Sequence, residues 1–487
     1  MLTKAALGLK LLDSHKPLSR GNGSIPSRNL PAVLLLWLML WGSLNAFPTQ
    51  MFDDFGHLNG SLLQVIHGIR SLFWVPAGLL AGWTLLAARR SPAGVVTGPV
   101  GLMMAYGLVG LLSSVLLSPN LVTAAYWGGA HLSVCIVLIA SLASRDCVNN
   151  TRRLVLANWL IVAATVFVLS ALVRSFFRET GFSMTGDVMP LYGMTWKVRA
   201  MAGMPMVLAG GAARYIAVFG IVALSRLLYG NANTLRFLAS GFVIVLSVLG
   251  LYAYHSRGAI GAFLAAAGVL VLIRAGRRIS VTAPLGVVLL ATLVWTSGIH
   301  QSLYRYALRG QDPKVFWSLG GRAGTWEEGL ELVQRSPFLG LGFHADRLAL
   351  VRQRARGSHY DMGQHMHNAW LHALIQTGII GASFFVGAFL SAWVLLWRLL
   401  REKERLPDRH KRVLLDTAGV LTFLTVRSIS ESTGAFFGVD WLLLGPLFAY
   451  LQILGQRRRV PVAQVPLAYR PHYVARPFYA PAAFHRD

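Results

Sequence analysis

One histidine and three arginines are the residues best suited to chemistry. His367 sits in Gln364-His-Met-His-Asn-Ala-Trp-Leu-His372, where a long hydrophilic stretch re-enters an apolar run. An unperturbed imidazole titrates near pH ~6.5, so it can take a proton from a hydroxyl close to neutrality. The competing reading is an interfacial histidine bonded to backbone. A metal site at His365 and His367 is weaker. On a helix, residues two apart face different sides, and no third ligand stands at a clear spacing. His365 and His372 are therefore expected to be dispensable beside His367.

Arg257 stands in Tyr252-Ala-Tyr-His-Ser-Arg-Gly258, a tight turn between two apolar runs. An arginine at a span end can snorkel. Gly258 and Ala259 also let another group approach the backbone closely. Arg322 sits in Gly320-Gly-Arg-Ala-Gly-Thr-Trp326, and glycines before an arginine suit a backbone turn around a phosphate. Residues Thr325–Gln334 then read as a short amphipathic helix with Trp326, Leu330 and Val333 on one face. Glu327, Glu328 and Glu331 face elsewhere, and an Arg–Glu surface pair is the bland alternative. Arg214 follows Gly210-Gly-Ala-Ala at a span entrance, where helix termini can bind anions or an arginine can simply anchor the helix. Asp53 and Asp54 are adjacent carboxylates in Met51-Phe-Asp-Asp-Phe-Gly56 and read first as solvated loop residues. Glu431 and Asp440 flank the last external turn and are candidates to pair with one of the arginines; which one is open. No GxxxxGK[ST] and no strand-anchored GxGxxG occurs, so the chain has no nucleotide signature.

The elements that must position these residues are membrane helices. Of 487 residues, 55% are hydrophobic and 13% charged, against about 25% charged in soluble chains. Mean hydropathy is +0.54. A soluble enzyme is thereby excluded, and so is general disorder. Apolar runs long enough for ~30 Å of hydrocarbon recur about twelve times. They lie near 30–47, 68–88, 95–117, 121–143, 153–173, 205–229, 235–254, 257–273, 279–298, 368–399, 413–430 and 438–456. The expectation is an all-α polytopic membrane protein. Nine spans occupy 30–298, a loop with short helices occupies 299–366, and three spans occupy 367–456.

Lysines and arginines orient this bundle. The net charge of +26 points first to basic cytoplasmic loops and anionic lipid rather than to nucleic acid. Basic residues at 4–28, at 89–90, at 145–153, at 226–236, at 274–278, at 398–412 and at 457–459 all fall on one side of a twelve-span arrangement. The positive-inside rule makes that side cytoplasmic. The segment 1–29 does not read as a cleavable signal, because the apolar run begins too late. The loop 299–366 holds nine basic and six acidic residues on the opposite side. Long loops translocate regardless of charge; the functional alternative is an anionic ligand met outside the membrane. The tail 457–487, rich in Pro, Arg and Tyr, reads as a disordered cytoplasmic segment attracted to anionic lipid. Cys135 and Cys147 offer neither a disulfide framework nor zinc spacing.

In their order along the chain these residues resemble the O-antigen ligase and polymerase superfamily, membrane glycosyltransferases of the C type. The matching stretches are Ser256-Arg257-Gly258, Gly321-Arg322 with Trp326, Pro337-Phe-Leu-Gly-Leu-Gly342, and His367-Asn368 followed by Gly378-Ile-Ile-Gly381. The resemblance covers about 205–400 in motif and most of the chain in span layout. The resemblance implies a periplasmic site in a bacterial inner membrane and a polyprenyl-diphosphate-linked glycan as donor. It implies two arginines at the diphosphate and a histidine base: Arg257, Arg322 and His367. Arg214, Trp326 and Asn368 are expected at the substrate. No cofactor and no metal is called for, and the partners are the donor, a lipid or glycan acceptor and membrane lipids. A ligase passes the glycan to a lipid A–core or similar acceptor; a polymerase passes it to another repeat unit. A transporter or flippase of anionic lipid-linked glycans is the alternative of another class, but neither mid-span ionisable residues nor inverted repeats mark one here.

Overall fold

The computed structural model describes residues 30–44, 69–87, 97–118, 120–144, 146–180, 209–230, 233–253, 256–308, 313–314, 322–345 and 366–457. The N-terminal segment, Asp53, Asp54, His365 and residues 458–487 lie outside them. Every regular element among the described residues is helical. They are α1 (Leu30–Gly42), α2 (Trp74–Ala87), α3 (Pro99–Leu117), α4 (Leu121–Ala143), α5 (Cys147–Thr180), α6 (Ala209–Tyr229) and α7 (Thr234–Ala253). Then follow α8 (Arg257–Thr296), α9 (Ile299–Leu308), α10 (Arg322–Arg335), α11 (Ala369–Arg401), α12 (Asp408–Arg427) and α13 (Val439–Arg457). Seven of these helices contain stretches long and apolar enough to cross a membrane: α3 to α8 and α11. Two shorter apolar helices, Ala32–Gly42 and Trp74–Ala87, accompany them.

Two sequence expectations are corrected. The runs 257–273 and 279–298 are not two helices with a turn at Arg274–Arg278. They form one helix of 40 residues, α8. A basic run interrupts hydropathy without interrupting helical geometry, because arginine is a good helix former. At ~1.5 Å per residue this helix is about 60 Å long, twice the hydrocarbon thickness. The short helix α10 also rolls differently from its apolar pattern. Gly329 and Leu332 are its buried positions, whereas Leu330 is 52% exposed. Gly329 is what sets the roll: without a side chain it sits against Met366, Leu371 and Ile375.

The core joins α3 to α11, α6 to α7, and α8 to α12, with α12 and α13 almost wholly enclosed. Tyr106, Phe385, Phe389, Trp441 and Phe448 are buried at its centre, while Leu79, Trp83, Leu235 and Leu249 face outward as a lipid-facing surface requires. One buried amide ties three helices together. Asn158 accepts from the Trp37 and Trp41 indoles at 2.8 and 3.0 Å and donates to the Leu442 carbonyl at 2.8 Å, tying α1, α5 and α13.

One feature brings the site together. Helix α11 is broken at Gly378, whose φ is +58°. The segment Pro337–Gly342 fills the break. Ile379 N donates to Pro337 O at 2.8 Å, Leu341 N to Ile375 O at 2.8 Å, and Gly342 N to Gln376 O at 2.9 Å. A side chain on Gly378 would collide with the Phe338 backbone, and one on Gly340 (φ +71°) with the backbone at Gln376–Gly378. Irregular backbone within a bundle persists only where its polar groups are satisfied by protein, and this strap satisfies them. It also carries α10 onto α11 and so brings Arg322 toward the start of α11.

Candidate active site

The loop between α12 and α13, residues 428–438, is the platform on which the predicted residues converge. Ser428 O accepts from Ala369 N at 2.8 Å, fixing the start of α11. Ser430 O accepts from Arg322 Nη1 at 2.6 Å. The Glu431 carboxylate lies between two candidate groups: Oε2 is 3.1 Å from His367 Nδ1 and Oε1 is 3.6 Å from Arg322 Nη2. Gly258, which follows Arg257 at the start of α8, abuts the same loop, since a Cβ there would meet Ser430 Oγ at 2.6 Å. Residues separated by more than a hundred positions thus meet at one end of the bundle.

His367 is in the left-handed region at φ +46°, a strained backbone for a residue with a side chain. It is held from both sides. The Trp326 indole donates to Met366 O at 2.8 Å. Asn368 caps α11, its Oδ1 accepting from Trp370 N and Leu371 N, both at 3.0 Å. Trp326 and Asn368, expected at the substrate, therefore have internal bonds that fix the histidine's place. The ring is about one-third exposed, as are Arg322 and Glu431, so the group is accessible.

A second ion cluster adjoins the first. Asp440 accepts from Arg214 Nη1 at 3.1 Å and from Arg427 Nη1 at 2.6 Å. Among the described ion pairs at this end, Arg214 and Arg427 share Asp440 while Arg322 and His367 share Glu431. Burial alone would raise the Glu431 carboxyl. The His367 bond and the charges of Arg427 and Arg322 outweigh it and hold the group at about 2, below its ordinary 4.5. Glu431 is therefore an anion at any working pH. The sequence left open which arginine Glu431 and Asp440 would pair with; the contact of Glu431 with His367 was not foreseen, and Arg427 was missed. Its signal was a cation inside the apolar run 413–430, four residues before Glu431.

His372 is not a peripheral neighbour. It is wholly buried, and Gln376 Oε1 accepts from its Nε2 at 2.5 Å while Gln376 Nε2 donates to Tyr106 Oη at 3.0 Å.

Fold and site together describe a multi-pass helical membrane protein with a histidine–glutamate–arginine cluster and an adjoining Arg214–Asp440–Arg427 cluster at one end. Residues 242–386 match the family described as O-Antigen ligase. A 114-residue stretch is 27% identical to the exopolysaccharide production protein ExoQ of Rhizobium meliloti (strain 1021), covering 22% of this chain. The chain matches only a quarter of that relative's length. Over these stretches the chain is similar to the O-antigen ligase family and to an exopolysaccharide production protein, in agreement with the resemblance carried by its motifs.

Proposed function

We propose that this protein is a membrane glycosyltransferase that moves a glycan from a polyprenyl-diphosphate carrier to an acceptor hydroxyl on the periplasmic face of the inner membrane. The observation that carries the reading is the shared carboxylate: Glu431 contacts both His367 and Arg322. With Nδ1–H donating to Glu431, the His367 Nε2 lone pair is left as the base. It takes the acceptor's proton as that oxygen attacks the anomeric carbon. The bond from that carbon to the diphosphate oxygen breaks, the polyprenyl diphosphate leaves, and the centre inverts.

Charge grows on the leaving diphosphate, so cations fixed beside it lower the barrier. Arg322 and Arg257 take this role. Arg322 uses one arm of its guanidinium on Ser430 O, which leaves other donors of the planar fork for phosphate oxygens. Arg214 and Arg427 hold Asp440 and supply longer-range positive potential. Trp326 and Asn368 hold His367 in its left-handed geometry. The step needs no metal or cofactor.

The first reading of the acceptor is a lipid A–core or similar lipid, as in a ligase. Joining of repeat units is a second reading, favoured by the exopolysaccharide relative. A periplasmic position for the His367–Glu431–Arg322 cluster belongs to the same proposal. Purified protein, a polyprenyl-diphosphate glycan and each acceptor in separate reactions, with products resolved by mass, test it. Transfer to a lipid acceptor supports the ligase, growth of the carrier-linked glycan supports the polymerase, and no transfer to either contradicts the proposal.

A further inference from the structure

Further along the same helices lies a second cationic site. Arg214, Arg257 and Arg427 mark one end of α6, α8 and α12. Fifteen to seventeen residues along each helix, roughly 22–26 Å at ~1.5 Å per residue, these helices enclose a cavity of about 230 Å³. It is lined by Leu228, Tyr229, Arg274, Asp408, Lys411 and Arg412, among others. The separation is close to a hydrocarbon thickness. The two sites therefore belong to opposite faces of the membrane, and this one falls on the side where the basic loops collect.

Most charges around the cavity are already matched. Lys411 Nζ pairs with Glu404 at 2.5 Å, Lys403 Nζ donates to Ile273 O at 3.1 Å, and Arg226 pairs with the buried Asp416. Asp408, in the first turn of α12, complements that helix's dipole. Arg274 and Arg412 are different. Among the described residues neither has a carboxylate partner, and Arg274 rests over the Tyr229 ring at 5.9 Å. Lys403 lies over the same ring at 5.8 Å. Burial, with Lys411 and Arg274 close by, lowers Lys403 below the ordinary lysine range, although Glu404 opposes this. An anion is the group that would relieve this crowding. The volume is several times the ~30 Å³ share of one water, enough for a phosphate and part of a headgroup.

We propose that this cavity binds the phosphate of an anionic phospholipid headgroup between α6, α8 and α12, with Arg274 and Arg412 as its principal contacts. Basic pockets between membrane helices on the cytoplasmic side are suited to such headgroups. Its Leu228, Tyr229 and Leu415 walls suit the adjoining glycerol and chain carbons. The proposal does not depend on glycan transfer at the other end.

The test uses the full chain purified in detergent, with phosphatidylglycerol or phosphatidylcholine added and retained lipid counted by native mass spectrometry. Wild type should retain phosphatidylglycerol at least fivefold over phosphatidylcholine. Arg274→Gln/Arg412→Gln should lower that retention at least fivefold, and Arg412→Gln alone should lower it measurably. Both arginines are exposed, so circular dichroism should show unchanged helix content. Arg398→Gln/Arg401→Gln, at the same end but outside the cavity, should retain the lipid. Equal retention by wild type and the cavity variant would overturn the proposal, as would an equal loss in the control variant. Millimolar inorganic phosphate separates the sources. Displacement of phosphatidylglycerol supports recognition through phosphate, whereas thermal stabilisation by phosphate without any lipid preference overturns the lipid assignment.

Discussion

Glu431→Gln isolates the charge that joins the base to the arginine. The side chain keeps its shape but loses its anion. An amide can present N–H to His367 Nδ1, now 3.1 Å from the carboxylate, and this drives the imidazole proton onto Nε2. The lone pair that would accept the hydroxyl proton is then lost. General-base catalysis contributes about 10²–10⁴ in rate, equivalent to about 2.7–5.4 kcal/mol at 1.36 kcal/mol per decade. Turnover should fall within that range. The Arg322 contact is a smaller matter. At 3.6 Å and an effective dielectric near 20, the gross attraction is roughly 4–5 kcal/mol. Both partners are about one-third exposed, so the net value is nearer ~1 kcal/mol. Arg322, freed from a competing anion, should hold the donor's diphosphate as well as before. Transfer by purified protein and donor binding by isothermal titration should therefore separate: turnover down at least a hundredfold, donor Kd within about threefold. Wild-type turnover in this variant, or a loss explained wholly by weaker donor binding, would refute the reasoning.

The low Glu431 value makes an acid-stability prediction. Its folded value of about 2 lies below the ordinary 4.5, so the native state binds fewer protons between them. The stabilisation is complete above about 4.5 and is lost as pH falls through about 2. Thermal unfolding should show Glu431→Gln less stable than wild type at pH 6, with the gap shrinking below pH ~4.5; a gap that widens toward pH 3 contradicts this. Arg257→Ala and Arg322→Ala should each reduce transfer at least a hundredfold in inserted protein, and lysine at either position should rescue poorly because it lacks the planar fork. Arg214→Ala should do less, since Arg427 still holds Asp440, and the ranking is read from transfer rates at matched protein levels. Gly378→Ala should abolish stable insertion, because the new side chain would collide with the Phe338 backbone at a positive φ; monodisperse protein in size-exclusion chromatography would count against it.

Single-segment features were readable from the sequence because they depend on local composition. The run 121–143 coincides with α4, and 368–399 differs from α11 by one or two residues at each end. Charge was a poorer guide to turns: Arg274, Arg277 and Arg278 looked like a loop but lie within α8. The roll of α10 was hidden because Gly329, which has no hydropathy to speak of, decides it. The strap at Pro337–Gly342 was visible as a motif but not as a structure, since its meaning lies in hydrogen bonds to a helix break forty residues away. His367, Arg322 and Arg257 could be named by residue type and position. Their connection through Glu431 and Ser430 could not, because pairing across a bundle is set by tertiary packing and leaves no spacing in the chain. His372 looked dispensable beside His367, yet it is buried in a network with Gln376 and Tyr106.

His367→Gln puts the central claim under the most direct pressure. Glutamine can keep a hydrogen bond to the Glu431 side but cannot accept and release a proton near neutrality. Transfer of glycan to acceptor and binding of the polyprenyl-diphosphate donor should be measured separately on the same inserted preparation. The account predicts turnover reduced at least a hundredfold with donor Kd within about threefold of wild type. Turnover retained in His367→Gln would contradict it.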